Sequence, residues 1–281
     1  MLLQSQVRIL FLSVAMGIAW SGSTMQPLFA AEPAVKPLKA LLVLGGCCHD
    51  YKVQQHLLSK GISDRAHVEV TIAYDPDTST KHLNPVYENP NWAEGYDVVI
   101  HDECSADVKE LGVIDRILEP HRRGLPAVVL HCGMHCYRSE GFPNITPWFE
   151  FTGLQTTGHG PQIPIEIRFL DPANPITKGM QNWTTIREEL YNNTTGKLLE
   201  TATPLASGHQ IYKNKEGKEV NAGSILVWTN EYQEKTRVFS TTLGHNNETV
   251  DDDRYLNLVT RGLLWSCDRL NDQYLKTPAG K

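Results

Sequence analysis

From Lys39 to Gly46 the chain is an unbroken apolar run, Lys-Ala-Leu-Leu-Val-Leu-Gly-Gly, closed by glycines. Such a run predicts a central parallel strand buried on both faces. Val53, Leu57, Leu58 and Ile62 then share one face of a helix predicted from about Lys52 to Ser63. His67 to Tyr74 alternates as a second strand, and Tyr96 to Asp102 reads as a third. Ala106 to Arg123 is a predicted helix on which Val108, Leu111, Ile114, Ile117 and Leu118 recur at helical spacing. Pro126 to His131 is the fourth strand and leads into Cys132-Gly133-Met134-His135.

Strands alternating with helices predict right-handed crossovers and a parallel sheet with helices on both sides. The second half has a different pattern. Short strands are predicted at Gln162 to Leu170, Arg187 to Tyr191, Thr203 to Ser207, Ser224 to Thr229 and Arg237 to Thr242, with polar turns such as Lys213 to Gly217 between them. Some of these extend the same sheet in antiparallel fashion. A closing helix from about Asp253 to Trp265 carries Leu256, Val259, Leu263 and Leu264 on its apolar face. There is no internal repeat and no low-complexity segment, so one α/β domain is expected over residues 39–270, with a C-terminal tail at 271–281.

The first residues change the cellular picture. Arg8, the apolar stretch from Ile9 to Trp20 and the small residues leading to Ala30-Ala31 have the layout of a secretory signal, predicted over 1–31 and followed by a linker at 32–38. The apolar stretch is shorter than the roughly 20 residues that span a bilayer. An exported protein, periplasmic or extracellular, is therefore expected, with no membrane attachment after cleavage. Cleavage removes one positive charge and no acidic residue, so the formal net charge moves from −6 to −7. With no cluster of Lys and Arg, a nucleic-acid partner is not expected. Cys47, Cys48, Cys104, Cys132, Cys136 and Cys267 could pair in an oxidising compartment, and their spacing matches no Cys-x-x-Cys motif. Disulfides, buried thiols and thiolate metal ligands all remain open readings of these six residues.

In an open parallel sheet, ligands bind where loops leave the carboxyl ends of the strands. His49 follows the first strand, His101 ends the third, His131 and His135 end the fourth, and His245 follows the strand at Arg237 to Thr242. Five of the eleven histidines thus fall at strand carboxyl ends. Taken singly, each also reads as a satisfied polar residue in a loop, but their convergence favours a site. Neutral imidazole is both a transition-metal ligand and an acid or base near neutral pH. His67, His82 and His121 are expected on element surfaces or loops, without a role.

Several stretches together resemble the ThuA-like (trehalose utilisation) family of the class I glutamine amidotransferase-like superfamily. They are Val99 to Glu103, Val129 to Gly133, Pro175 to Gly179, Glu188 to Tyr191, the strand from Arg237 with Leu243-Gly244-His245, and Arg261 to Trp265. The chain departs from the family pattern at Asn174, where His is usual, so no role is carried to that position. The resemblance implies a flavodoxin-like three-layer fold with a mainly parallel central sheet. It also implies carbohydrate metabolism on a small-molecule sugar, a bound divalent metal with zinc foremost, and no nucleotide cofactor. His131, Glu189, Tyr191 and His245 match its characteristic polar sites.

The leading expectation is an enzyme acting on a keto-glycoside or related disaccharide derivative by elimination, hydrolysis or isomerisation. Glu189, His131 and His245 are the catalytic candidates and His49, His131 and His245 the metal ligands. Asp102, His159 and Tyr191 would bind substrate, with His159 presented by a turn at Gly158-His159-Gly160-Pro161. Two other readings stand beside it. One is a cysteine hydrolase using Cys132, His245 and Glu248. The other is a sugar-binding protein without turnover, in which tryptophans such as Trp92, Trp148, Trp183 and Trp228 stack on the ligand.

Overall fold

The computed structural model describes residues 35–141, 145–193 and 198–276. The expected signal segment, the first three residues of the linker and the last five residues lie outside the described residues. No described helix is long and apolar enough to cross a membrane.

The first half follows the apolar pattern closely. β1 (Leu38–Gly46), α1 (Tyr51–Arg65), β2 (Val68–Asp75), β3 (Val98–Cys104), α2 (Leu111–Arg122) and β4 (Ala127–Leu130) are followed by a 3-10 turn at His131–His135 and α3 (Pro147–Thr152). The second half contains β5 (Thr156–Ile163), β6 (Glu166–Phe169), β7 (Trp183–Thr184), β8 (Glu188–Asn193), β9 (Ala202–Lys213), β10 (Glu219–Tyr232), β11 (Thr236–Thr241), α4 (Asn247–Val250) and α5 (Asp253–Ser266). Nine strands form one sheet in the order β2-β1-β3-β4-β11-β10-β9-β6-β7. The run from β2 to β11 is parallel, and the strands beyond β11 pair antiparallel. β5 and β8 form a separate antiparallel ribbon. This is the expected mixed α/β fold.

Strand alternation divides the core between the two faces of the sheet. Leu42, Leu44, Ile100 and Leu130 pack with Leu58 and Ile62 of α1 and Leu256, Val259 and Leu263 of α5. Leu41, Val43, Val99 and Val129 pack on the other face with Ile114 and Ile117 of α2 and Trp148 and Phe151 of α3. At Gly262 a Cβ would stand 2.3 Å from the Phe239 ring, so only glycine lets α5 lie this close to β11.

The departures from the sequence pattern have local causes. Helix α2 begins at Leu111 and not at Ala106, because Asp107 is tied to Thr80 through both its backbone N–H and its carboxylate. Pro120 lacks the N–H that would bond Arg116 O, and the Trp92 indole N–H takes that carbonyl at 3.3 Å instead. The predicted strand from Gln162 to Leu170 is broken at Pro164 into the end of β5 and β6. In the C-terminal tail, residues 271–276 lie along the sheet edge, where Leu275 bridges to Ala66 and Tyr274 O accepts from His67 N.

Candidate metal and active site

The parallel strands end together, and their loops meet above the sheet. Gly46, at φ +96, faces the backbone of Cys104, where a Cβ would lie 2.3 Å from the carbonyl oxygen. This close approach carries the chain into Cys47-Cys48-His49. Beyond β4, His131 adopts a left-handed backbone with φ +40, a conformation that non-glycine residues hold only where surroundings enforce it. Beyond β11, the loop bearing His245 is held from two sides. Gln54 of α1 donates to Gly244 O and His245 O, while the Glu188 carboxylate accepts from the backbone N–H groups of His245 and Asn246 at 3.3 Å. Alternation along β8 then turns Glu189 and Tyr191 towards the histidines.

The rings of His49 and His131 lie 4.5 Å apart, those of His49 and His245 4.9 Å, and those of His131 and His245 5.6 Å. Glu189 stands among three imidazoles, with oxygens 3.5 Å from His131 Nε2, 3.3 Å from His245 Nδ1 and 3.5 Å from His159 Nε2. Gln162, opposite Glu189 across the β5–β8 ribbon, donates to the same carboxylate at 3.0 Å. His131 Nδ1 lies 2.7 Å from Thr242 O, which can only accept, so the proton sits on Nδ1. In the neutral ring Nε2 is therefore bare, and it receives the Tyr191 hydroxyl at 3.3 Å. His159 is set the same way, with Nδ1 donating to Gly160 O and Nε2 directed at Glu189.

These contacts leave electron-pair acceptors facing one another. The Nδ1 atoms of His49, His135 and His245 are buried with no hydrogen-bond partner among the described residues. The 3.3 Å approach of His245 Nδ1 to Glu189 is thus an ion-pair contact without a hydrogen bond's alignment. Burial alone would raise the Glu189 carboxyl, but the imidazoles of His131 and His245 outweigh it and hold the group well below the usual carboxylate range. The same contact with Glu189 raises His245. Burial, reinforced by His131 and His245, pushes His49 down to about 2.

His131, Glu189 and His245 offer ligand atoms that all lie within 4.8 Å of one another. Two imidazoles and a carboxylate suit a divalent transition metal, and the unpartnered Nδ1 of His245 with the bare Nε2 of His131 is the donor pattern such an ion requires. The residues fit the expected metal. A second group, His49, His131 and Cys132, also offers ligand atoms within 4.8 Å of one another, so His131 is common to both sets. His49 Nε2 is turned to Cys132 Sγ at 3.1 Å.

The other candidates fall in different places. Tyr191 is in the cluster, its ring stacked on His135 at 4.6 Å. His159 sits at the mouth with 39% of its side chain exposed, on strand β5 and not on a turn. The glycines and Pro161 irregularise the strand's pairing on both sides of His159 without ending it. Asp102 is buried beneath the cluster and makes no hydrogen bond to it among the described residues. Burial, with Glu103 and Cys104 nearby, raises its carboxyl well above the usual range. His101 points to the opposite face of the sheet, bonded to Glu103 and His121. His82 and His121, expected at the surface, are fully buried.

Cys132, His245 and Glu248 do not form the alternative triad. Cys132 meets His49 and Cys104, the carboxylate beside His245 is Glu189, and Glu248 is exposed on α4. Burial also pushes the Cys132 thiol well up, so it attacks only where a neighbouring group takes its proton as the new bond forms. Trp92, Trp148 and Trp228 are buried in the core, and Trp183 lies under Arg254 in a separate groove of about 1480 Å³ beside α1 and α5. That groove holds none of the clustered imidazoles. Gln162 is the site residue that nothing in its local sequence marks, whereas His135 stands among the strand-end histidines and Glu188 beside Glu189 in a family segment.

A model described as trehalose utilisation, ThuA, matches residues 39–266. Among solved structures, a ThuA-like protein of Parabacteroides merdae is 21% identical, with TM-score 0.58, covering 83% of this chain and 90% of that one. A ThuA-like protein of Bacteroides uniformis is 16% identical, with TM-score 0.60, covering 84% and 95%. No curated protein matches the chain in sequence. With the family pattern running from β1 to α5 and its polar positions gathered at the strand ends, the chain belongs to the ThuA (trehalose utilisation) family.

Proposed function

We propose that the protein is a metal-assisted enzyme of carbohydrate breakdown acting on a keto-glycoside or a related disaccharide derivative. The observation that carries this reading is the convergence of His131 Nε2, Glu189 and His245 Nδ1 within 4.8 Å, with His245 Nδ1 buried and without a hydrogen-bond partner among the described residues. Zinc held there would supply Lewis-acid polarisation of a sugar carbonyl. A carbonyl at carbon 3 acidifies the neighbouring C–H, and loss of that proton permits departure of the glycosidic oxygen.

With Glu189 and His131 engaged as ligands, the base falls to another group. His159 has the geometry for it: its Nδ1–H is fixed by Gly160 O, its Nε2 faces the cluster, and its ring is open to solvent. Tyr191 orients His131 through its hydroxyl, and its ring forms a wall with His135. The buried setting of Glu189 excludes water from the reacting end, while His159 marks where the substrate enters.

The test combines metal analysis of the purified protein with product formation from a 3-keto-disaccharide before and after chelation. Bound zinc, loss of turnover on chelation and recovery on readdition support the reading. Equal turnover by chelated and untreated protein would end it, and saturable sugar binding with no product would replace it with a binding function.

A further inference from the structure

A second group of reactive side chains lies beside the imidazoles and has no part in the proposed reaction. Cys47 and Cys48, adjacent in sequence, form a disulfide at the tip of β1. Cys104, at the end of β3, is paired with Gly46 across the sheet, which brings its Sγ to 3.4 Å from Cys47 Sγ. Cys132 follows β4, the next strand over, and its Sγ lies 2.8 Å from Cys104 Sγ. The parallel register thus lines up a disulfide, a thiol and a second thiol along three adjacent strand ends. Cys48 is exposed, Cys47 half-buried, and Cys104 and Cys132 buried, so the row runs from solvent into the core.

We infer that these residues form a thiol–disulfide exchange site in which one disulfide is passed between Cys47–Cys48 and Cys104–Cys132, with Cys48 as its contact with external thiols. Exchange proceeds by attack of a thiolate on a disulfide sulfur. Cys104 sulfur bonds to Cys47 sulfur, the Cys47–Cys48 bond breaks, and Cys48 leaves with the proton given up by Cys104. Cys132 sulfur then bonds to Cys104 sulfur, the Cys47–Cys104 bond breaks, and Cys47 takes the proton given up by Cys132. One disulfide and two thiols exist before and after, so no outside oxidant or reductant enters the balance.

Cys136 is the internal contrast. Its S–H is shared between Glu103 O and Cys132 O, its sulfur accepts from the N–H of Ser105, and it sits outside the row. The inference is independent of the role of the histidines, although its inner state would remove the thiol that faces His49.

The arrangement can be read by acid-quenched alkylation and peptide mapping of the full chain equilibrated in glutathione buffers. Lys109 and Arg123 separate Cys104 from Cys132 in a tryptic digest, so their disulfide appears as a cross-linked peptide pair, and fragmentation within the peptide 124–138 tells Cys132 from Cys136. In the wild type, the expected result is loss of free Cys104 and Cys132 together, matched by a gain of free Cys47 and Cys48, with Cys136 alkylated throughout. Cys48→Ser should shift the remaining disulfide to Cys47–Cys104 or Cys104–Cys132, and Cys104→Ser should leave Cys132 free under every condition. Free Cys104 and Cys132 in the wild type across all buffers would overturn the inference. Cross-links that include Cys136 as often as Cys132 would overturn it as well, because they would report scrambling.

Discussion

Two clusters of histidine, carboxylate and tyrosine lie near the end of β3, and they differ in how far their polar groups are satisfied. In the cluster of His49, His131, His245, Glu189 and Tyr191, buried ring nitrogens lack partners. In the cluster of His101, His121, Glu103, Tyr87 and Tyr137 every one of these polar groups is bonded. Tyr87 and Tyr137 donate to Glu103, which shares a proton with His101 Nδ1 at 3.0 Å. His101 Nε2 meets His121 Nε2 at 3.1 Å, and His121 Nδ1 donates to Leu125 O. The residue types are the same. A satisfied buried network stabilises a fold, whereas unsatisfied buried acceptors need an ion, a proton or a substrate.

Substitution of the two carboxylates puts that contrast under most stress. Glu189→Gln should lower turnover on a keto-disaccharide on the order of 10² to 10⁴-fold, because losing a ligand forfeits several kcal/mol of polarisation by the ion, while the thermal transition changes little. Glu103→Gln should do the reverse, costing roughly 3–5 kcal/mol in a denaturant melt by breaking a buried ionic network. If Glu103→Gln melts like the wild type, the second cluster is not structural.

Zinc binding should separate the clusters next. A ligand at a hundredfold excess over its Kd stabilises by about 2.7 kcal/mol, so added zinc should raise the melting temperature of the apo protein. His245→Ala should abolish that rise, and His121→Gln should start from a lower temperature and keep it. A rise that survives His245→Ala would place the ion elsewhere.

Acid sharpens the comparison from the other side. Burial, with His101 beside it, pushes His121 down to about 3, below its ordinary 6.5. The unfolded chain therefore binds a proton in a window where the folded chain does not. Stability from this residue is complete above pH 6.5 and is lost as pH falls towards 3, by at most about 1.4 kcal/mol per pH unit. Melts of zinc-loaded protein and its His121→Gln variant should show this slope and its loss.

The smallest effect belongs to Gln162, which supports Glu189 with one hydrogen bond. Gln162→Ala should lower turnover roughly tenfold, as for residues that orient a metal ligand, and cost about 1 kcal/mol or less in stability. A loss as large as that of Glu189→Gln would make Gln162 a direct participant in the reaction.

The amino-acid pattern alone defined the alternation of β1 to β4 with α1 and α2, the apolar face of α5 and the family. All of these rest on local periodicity or on contiguous motifs. It also marked His131, Glu189 and His245, because they sit at strand ends or inside those motifs. Tertiary structure decided which surroundings each residue meets: strand alternation sends His101, within β3, into a satisfied network, and a left-handed turn after β4 brings His131 to Glu189 and Tyr191. It also decided that Glu189 stands within ligand distance of His131 and His245, and that four distant or adjacent cysteines form one row. These outcomes depend on the register between strands far apart in the chain, and register is set by packing across the whole sheet, not by the composition of any one segment.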